Sequence, residues 1–364
     1  MNKRSLMYDT NLIYFILITF FIAIRIFTSI FSISSALGSV LNIALQILVM
    51  FGIPFVLYQV FRKRTAKQTF ADFKFNKISF KAVLISIIIG ILVFIINIAV
   101  ASFFNTVITL IGYDPNFGII GSTGGSERPM SFATFLLNVF MTAVLPGFCE
   151  EFAHRGLLLN GYKNYGAKKA IIFSGLLFGL MHLNIEQCFY ATIIGLFLGL
   201  LAVSTDNIFP CIIVHFMNNF ISVYLSFAKS NGYFGGNFSE VLTSWLSGNS
   251  IFLTLLIIFI VLCVLIAALI FLVMLLLKET KIKKITDFAN TLFKQKLRDD
   301  LLEEDGTTEN NAETNQEPQV QINPVANSSM PLAKVLLPQN LIYSGFVKGE
   351  VTLKDKIFMY EIGG

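Results

Sequence analysis

IFLTLLIIFIVLCVLIAALIFLVMLLL, residues Ile251–Leu277, contains no charged side chain and one hydroxyl, that of Thr254. About 20 predominantly apolar residues, rising 1.5 Å each as a helix, cross the hydrocarbon core of a bilayer. This run therefore reads as a transmembrane helix, and it is not alone. The chain is 55% hydrophobic and carries 38 phenylalanines. Only 13% of its 364 residues are charged, against about 25% in soluble proteins. The fold class that follows is all-α: a polytopic transmembrane helical bundle of about eight spans, with a soluble C-terminal tail. The net charge of +5 does not point to nucleic acid, because basic residues of a membrane protein gather in cytoplasmic loops and set its orientation.

Seven further apolar runs precede Ile251–Leu277: roughly 11–34, 40–61, 82–104, 132–162, 170–183, 188–203 and 208–227. The first lacks a small-residue cleavage site and reads as a retained span. Between the second and third lies the most basic loop, Arg62 to Lys81, with seven Lys and Arg. A Gly-rich loop, Asn105 to Met130, follows the third. A polar loop, Ala228 to Ser250, carries the single tryptophan, Trp245, placed at the membrane interface. Lys and Arg fall before the first span, between the second and third, at Lys163–Lys169, and after the last. Eight spans with both termini cytoplasmic satisfy that pattern. The expected localisation is the cell membrane, multi-pass.

The expected organisation is 1–130, N-terminal helices and loops; 131–227, a catalytic transmembrane core; 228–277, a loop and the last span; 278–364, a soluble tail. In that tail, Lys278–Leu302 reads as a basic amphipathic helix along the membrane. Glu303–Met330 reads as disordered from its Glu, Asn, Gln and Thr content. Lys334–Ile362 regains alternating apolar residues and reads as a hairpin or a docking segment for a protein partner. The four cysteines, Cys149, Cys188, Cys211 and Cys263, form no C-x-x-C pair, so neither a disulfide scaffold nor a zinc ribbon is expected.

Charge inside a membrane bundle is expensive and calls for a reason. Pro146 to Arg155 reads PGFCEEFAHR and places Glu150, Glu151, His154 and Arg155 within an apolar run. The chain has three histidines, His154, His182 and His215, all in this central region. If the fourth helix continues to Tyr162 and turns over Tyr162–Ala167, Glu150 lies 16 residues before Gly166 and His182 lies 16 after it. Both then sit roughly 18–20 Å from the turn, at the same depth. His215 and Asn219 fall roughly 10–17 Å along the seventh run from the same side. On single helices, Glu151 and Arg155 are spaced to pair, Glu150 and His154 likewise, and Phe178/His182 and His215/Asn219 share faces. Gly175-x-x-x-Gly179 and Gly195-x-x-x-Gly199 permit close helix approach. Pro146-Gly147 is an expected kink. Cys149 reads as packing, Arg25 as structural, and His154 as a supporting or cytoplasm-facing group.

Glu150-Glu151-x-x-x-Arg155, Phe178-x-x-x-His182 and His215-x-x-x-Asn219 resemble, in order, the three motifs of the type II CAAX prenyl protease and bacteriocin-processing family. These intramembrane proteases, also called CPBP or Abi proteins, include relatives of lysostaphin resistance protein A. The resemblance covers roughly residues 130–225. It implies Glu150 as general base, His182 holding the water, His215 and Asn219 stabilising the oxyanion, and Glu151 with Arg155 as supporting ion pair beside Phe178. It implies no cofactor. Zinc on Glu150, His182 and His215 is the alternative, although H-E-x-x-H is absent. The expected partners are the lipid bilayer and a membrane-associated peptide or protein substrate, with no nucleic acid.

Other classes fit parts of the pattern. A non-catalytic scaffold regulating envelope enzymes would keep the fold without the chemistry. A proton-coupled transporter predicts repeated halves with broken helices, and no repeat is found. A di-iron site needs Glu-x-x-His on two helices, and only Glu151-x-x-His154 occurs. A bundle whose polar residues merely pin helices needs no reaction.

Overall fold

The computed structural model describes residues 5–31, 34–110, 129–238, 241 and 250–307. The described residues are helical, with no strand among them. The chain divides into two compact units, Met1–Lys283 and Lys284–Gly364.

In the first unit, α1 is Leu6–Ile30, opened by Ser5, whose hydroxyl accepts from the Tyr8 N–H. Helix α2 covers residues 35–62 in three parts: Ser35–Ala44, a π-helical Leu45–Gly52, and Ile53–Arg62. Short α3, Ala66–Asp72, carries a reciprocal cap between Thr65 and Gln68. Helix α4 is Phe80–Leu110, so the first residues of the expected Asn105–Met130 loop are helical instead. Helix α5 covers 132–162 and is widened by two π-helical stretches, Phe140–Val144 and Phe152–Leu158. A 3-10 turn, Lys163–Tyr165, and Gly166 at φ 96° reverse the chain into α6, Ala167–Leu180. The expected hairpin turn over Tyr162–Ala167 is the one observed. Helix α7 is Ile185–Thr205, α8 is Phe209–Asn231 and α9 is Ile251–Thr307. Within α9, Lys278–Leu302 is helical as expected. Trp245, residues 308–330 and Lys334–Ile362 lie outside the described residues.

Among the described residues, seven helices are long and apolar enough to cross a membrane. The expectation of eight fails at residues 170–183. Helix α6 has 14 residues, about 21 Å, short of a hydrocarbon core of about 30 Å. It is instead buried against α7 through the two glycine pairs. A Cβ on Gly175 would lie 2.8 Å from the Leu196 nitrogen, one on Gly179 2.7 Å from the Cys188 carbonyl oxygen, and one on Gly195 2.9 Å from the Gly175 oxygen. Backbone cannot yield as a flexible side chain can. Gly179→Ala is therefore expected to lower unfolding stability in detergent by about 1–3 kcal/mol. Gly199→Ala, whose Cβ would meet Ile171 at 3.4 Å, stays within about 0.5 kcal/mol of wild type. Equal stability of the two variants would refute this packing.

The basic segment 62–81 is no free loop. Arg62 pairs with buried Asp9 at 3.1 Å, Arg64 with Asp72 at 3.0 Å, and Lys74 with Asp206 at 3.2 Å. Phe73 is buried, its ring 4.9 Å from that of Phe152 and directly over Gly156. The segment thus ties α1, α3 and the α7–α8 turn together beside α5.

Two apolar clusters flank the centre. One joins α1, α2 and α5 through Ile13, Leu17, Met50, Phe152 and Leu157. The other joins α4, α7 and α8 through Ile89, Val93, Leu198, Leu201 and Val214. The polar residues lie between them, where α2, α5, α6, α7 and α8 meet.

Candidate active site

Four aromatic or cationic groups surround one ring. Phe178, 2% exposed, has the ring of His154 at 5.1 Å, His182 at 5.2 Å and His215 at 5.5 Å, each edge-on. The Arg155 guanidinium lies 4.7 Å from its centroid, within cation–π range. Phe178 is thus the hub on which three helices bring the three histidines together, a role its place beside His182 only hinted at.

Glu151 and Arg155 form the pair their spacing predicts, at 3.0 Å, with both side chains fully buried. Arg155 also donates from Nη2 to the Gly195 carbonyl at 2.8 Å. The same Glu151 oxygen, Oε1, accepts from His215 Nδ1 at 2.8 Å. Spacing on one helix could not show this second tie, since it crosses from α5 to α8. It fixes which nitrogen of His215 faces the other carboxylate: Nε2 lies 3.9 Å from Glu150 Oε2.

Glu150 retains some exposure, its side chain being 14% accessible. Its Oε1 accepts from Gln46 Nε2 of α2 at 2.8 Å. His182 is oriented from behind, its Nδ1 donating to the Phe178 carbonyl at 2.9 Å, which leaves Nε2 on the other side of the ring.

Asn219 owes its placement to a proline. Pro146 has no N–H to give the carbonyl four residues back, that of Thr142. The Thr142 carbonyl accepts instead from Asn219 Nδ2 at 3.0 Å. Asn218 Nδ2 donates to Asn219 Oδ1 at 3.0 Å, holding the amide with its nitrogen towards α5. A π-helical widening, Phe140–Val144, precedes Pro146-Gly147, the site of the expected kink. Gly147 lets α8 close in, since a Cβ there would sit 3.3 Å from the Phe216 nitrogen.

His154 does not face the cytoplasm. It is fully buried, as is every residue of the π-helical stretch Phe152–Leu158 that carries it. Its Nδ1 donates to the Glu150 backbone carbonyl at 2.8 Å, and its Nε2 faces the Tyr14 hydroxyl of α1 at 3.4 Å. It therefore braces the Glu150 backbone and not its carboxylate. Arg25 is exposed, with its guanidinium 6.0 Å from the Phe21 ring, and Cys149 is a buried free thiol in the α1–α2–α5 cluster. Among the described residues no three His, Cys, Asp or Glu side chains gather as a metal ion would require.

Sequence reasoning missed Tyr14, Gln46, Thr142 and Asn218. Gln46 was the most legible of them, an amide in an otherwise apolar run. The π-helical stretches border the site at 45–52, 140–144 and 152–158, and such irregular turns are frequent at functional sites.

Residues 132–221 match the family model described as Type II CAAX prenyl endopeptidase Rce1-like. Over those residues, about a quarter of the chain, the sequence is similar to the Rce1-like family. The match contains all three motifs and all four faces of the Phe178 hub, while Gln46 and Tyr14 lie outside it. The matched segment lies among helices long and apolar enough to cross a membrane. Searches of curated proteins and of solved structures each gave no match to the chain.

Proposed function

We propose that this Rce1-like core is an intramembrane endopeptidase of the cell membrane that hydrolyses a membrane-associated peptide or protein by glutamate-activated water. The observation that carries the reading is the pinned carboxylate. Gln46 holds Glu150 Oε1, while Oε2 faces His215 Nε2 at 3.9 Å. Glu150 takes a proton from water as the water oxygen attacks the scissile carbonyl carbon, then returns that proton to the leaving amide nitrogen. His182 Nε2 holds the water. His215 and Asn219 stabilise the oxyanion. Glu151 Oε1 holds His215 by Nδ1 and so directs Nε2 towards the site, as an acid does behind a catalytic histidine.

The test compares membrane peptides from cells producing wild type with those from cells producing Glu150→Ala or His182→Ala, each with and without a chelator. New peptide termini are expected with wild type only, and unchanged by chelation. Identical profiles for all three proteins remove the catalytic reading and favour the scaffold. Loss on chelation favours the zinc alternative.

A further inference from the structure

We infer that Gln46 is a positioning residue of the reaction, selecting which oxygen of Glu150 serves as the base; this rests on the protease reading above. Gln46 lies on α2, outside the residues that match the family. Nothing in the three motifs calls for it.

The argument begins with the carboxylate. A glutamate side chain has two equivalent oxygens and turns freely about its last bond, so a base is efficient only when one oxygen is held towards the water. Glu150 Oε1 is occupied by the Gln46 amide at 2.8 Å. Oε2 is the oxygen on the His215 side. An amide suits this task. It donates to an ionised carboxylate but carries no charge and cannot take the proton itself. An Arg or Lys there would hold Glu150 in a salt bridge and weaken it as a base.

The local backbone is built for the contact. Gln46 is the second residue of the π-helical Leu45–Gly52, between Leu45, Val49 and Met50, which are buried against α1 and α5. A wider turn rotates the side chains that follow relative to a regular helix. The Gln46 carbonyl oxygen is itself buried without a partner, so the amide's place is set by Glu150 and not by another hydrogen bond in α2.

The probe is a fluorogenic peptide built on the site most strongly processed in wild-type membranes relative to Glu150→Ala. Gln46→Met keeps length and volume but removes the donor. Gln46→Glu keeps length and polarity but sets a carboxylate against Glu150. Both are expected to lower kcat by about 10–100-fold, with KM within about twofold and the thermal midpoint unchanged. A merely structural tie would move the midpoint and leave kcat per folded molecule intact. Wild-type kcat in either variant overturns the inference, as does a rise in KM at constant kcat or loss of folded protein in both. If Gln46→Met alone misfolds, Gln46→Glu decides. Glu150→Gln in the same series separates the two claims. If it is active, the protease reading falls. If it is inactive while Gln46→Met works at the wild-type rate, only the assignment of Gln46 falls.

Discussion

Glu150→Gln is expected to reduce turnover by about a thousandfold, within the 10²–10⁴-fold range for loss of a general base. The substitution is close to silent for structure. The new amide oxygen accepts the Gln46 N–H as the carboxylate oxygen did, and the volume is the same. His154 braces position 150 through its backbone carbonyl, which the substitution does not touch. Only the proton acceptor is lost. Substrate binding and the thermal midpoint should therefore stay near wild type while kcat collapses. Cys149→Ala is the matching control, because the neighbouring thiol is buried among apolar groups and should leave turnover within about twofold. Full processing by Glu150→Gln would sink the glutamate mechanism. A collapse with Cys149→Ala instead would move the chemistry to a thiol.

The second large effect is on stability. Arg155→Met should destabilise the folded bundle by about 3–5 kcal/mol, the cost of leaving one member of a buried ion pair alone. The guanidinium meets Glu151 at 3.0 Å, the Gly195 carbonyl at 2.8 Å and the Phe178 ring at 4.7 Å. Without it, the Glu151 carboxylate keeps only His215, and the Gly195 carbonyl loses its donor. The pair is coupled, so adding Glu151→Gln to Arg155→Met should recover much of the loss. Unfolding of the four proteins in detergent measures the coupling directly. Strictly additive losses would show that the two side chains do not support each other. Because Glu151 also holds His215, activity should not return with stability in the double variant.

Much of this was legible in the chain. The apolar runs located the spanning helices, since length and hydropathy alone decide whether a segment can cross a bilayer. The hairpin over Tyr162–Ala167 followed from where the run ended and the lysines began. Glu151 and Arg155 announced their pairing at i,i+4, because that contact is local to one helix. The glycine pairs announced a close helix approach, because their spacing puts two side-chain-free positions on one face. Other features were hidden. The π-helical stretches leave no signature in a 3.6-residue pattern, yet Gln46 and His154 both lie within them. The shortness of α6 was masked because the apolar run continues past its last turn at Leu180.

The sequence by itself determined the membrane, the helices and the inventory of polar residues, because hydrophobic transfer and backbone hydrogen bonding act on each segment without reference to the others. Only the tertiary structure decided the partners. Whether Glu151 serves Arg155 alone or also His215, and whether Glu150 is held by His154 or by Gln46, depends on side chains from separate helices meeting at about 3 Å. Hydrogen bonds lose their strength within a fraction of an ångström and tens of degrees. That geometry is fixed by how Gly147, Gly175, Gly179 and Gly195 let the helices close around Phe178, which no single segment contains.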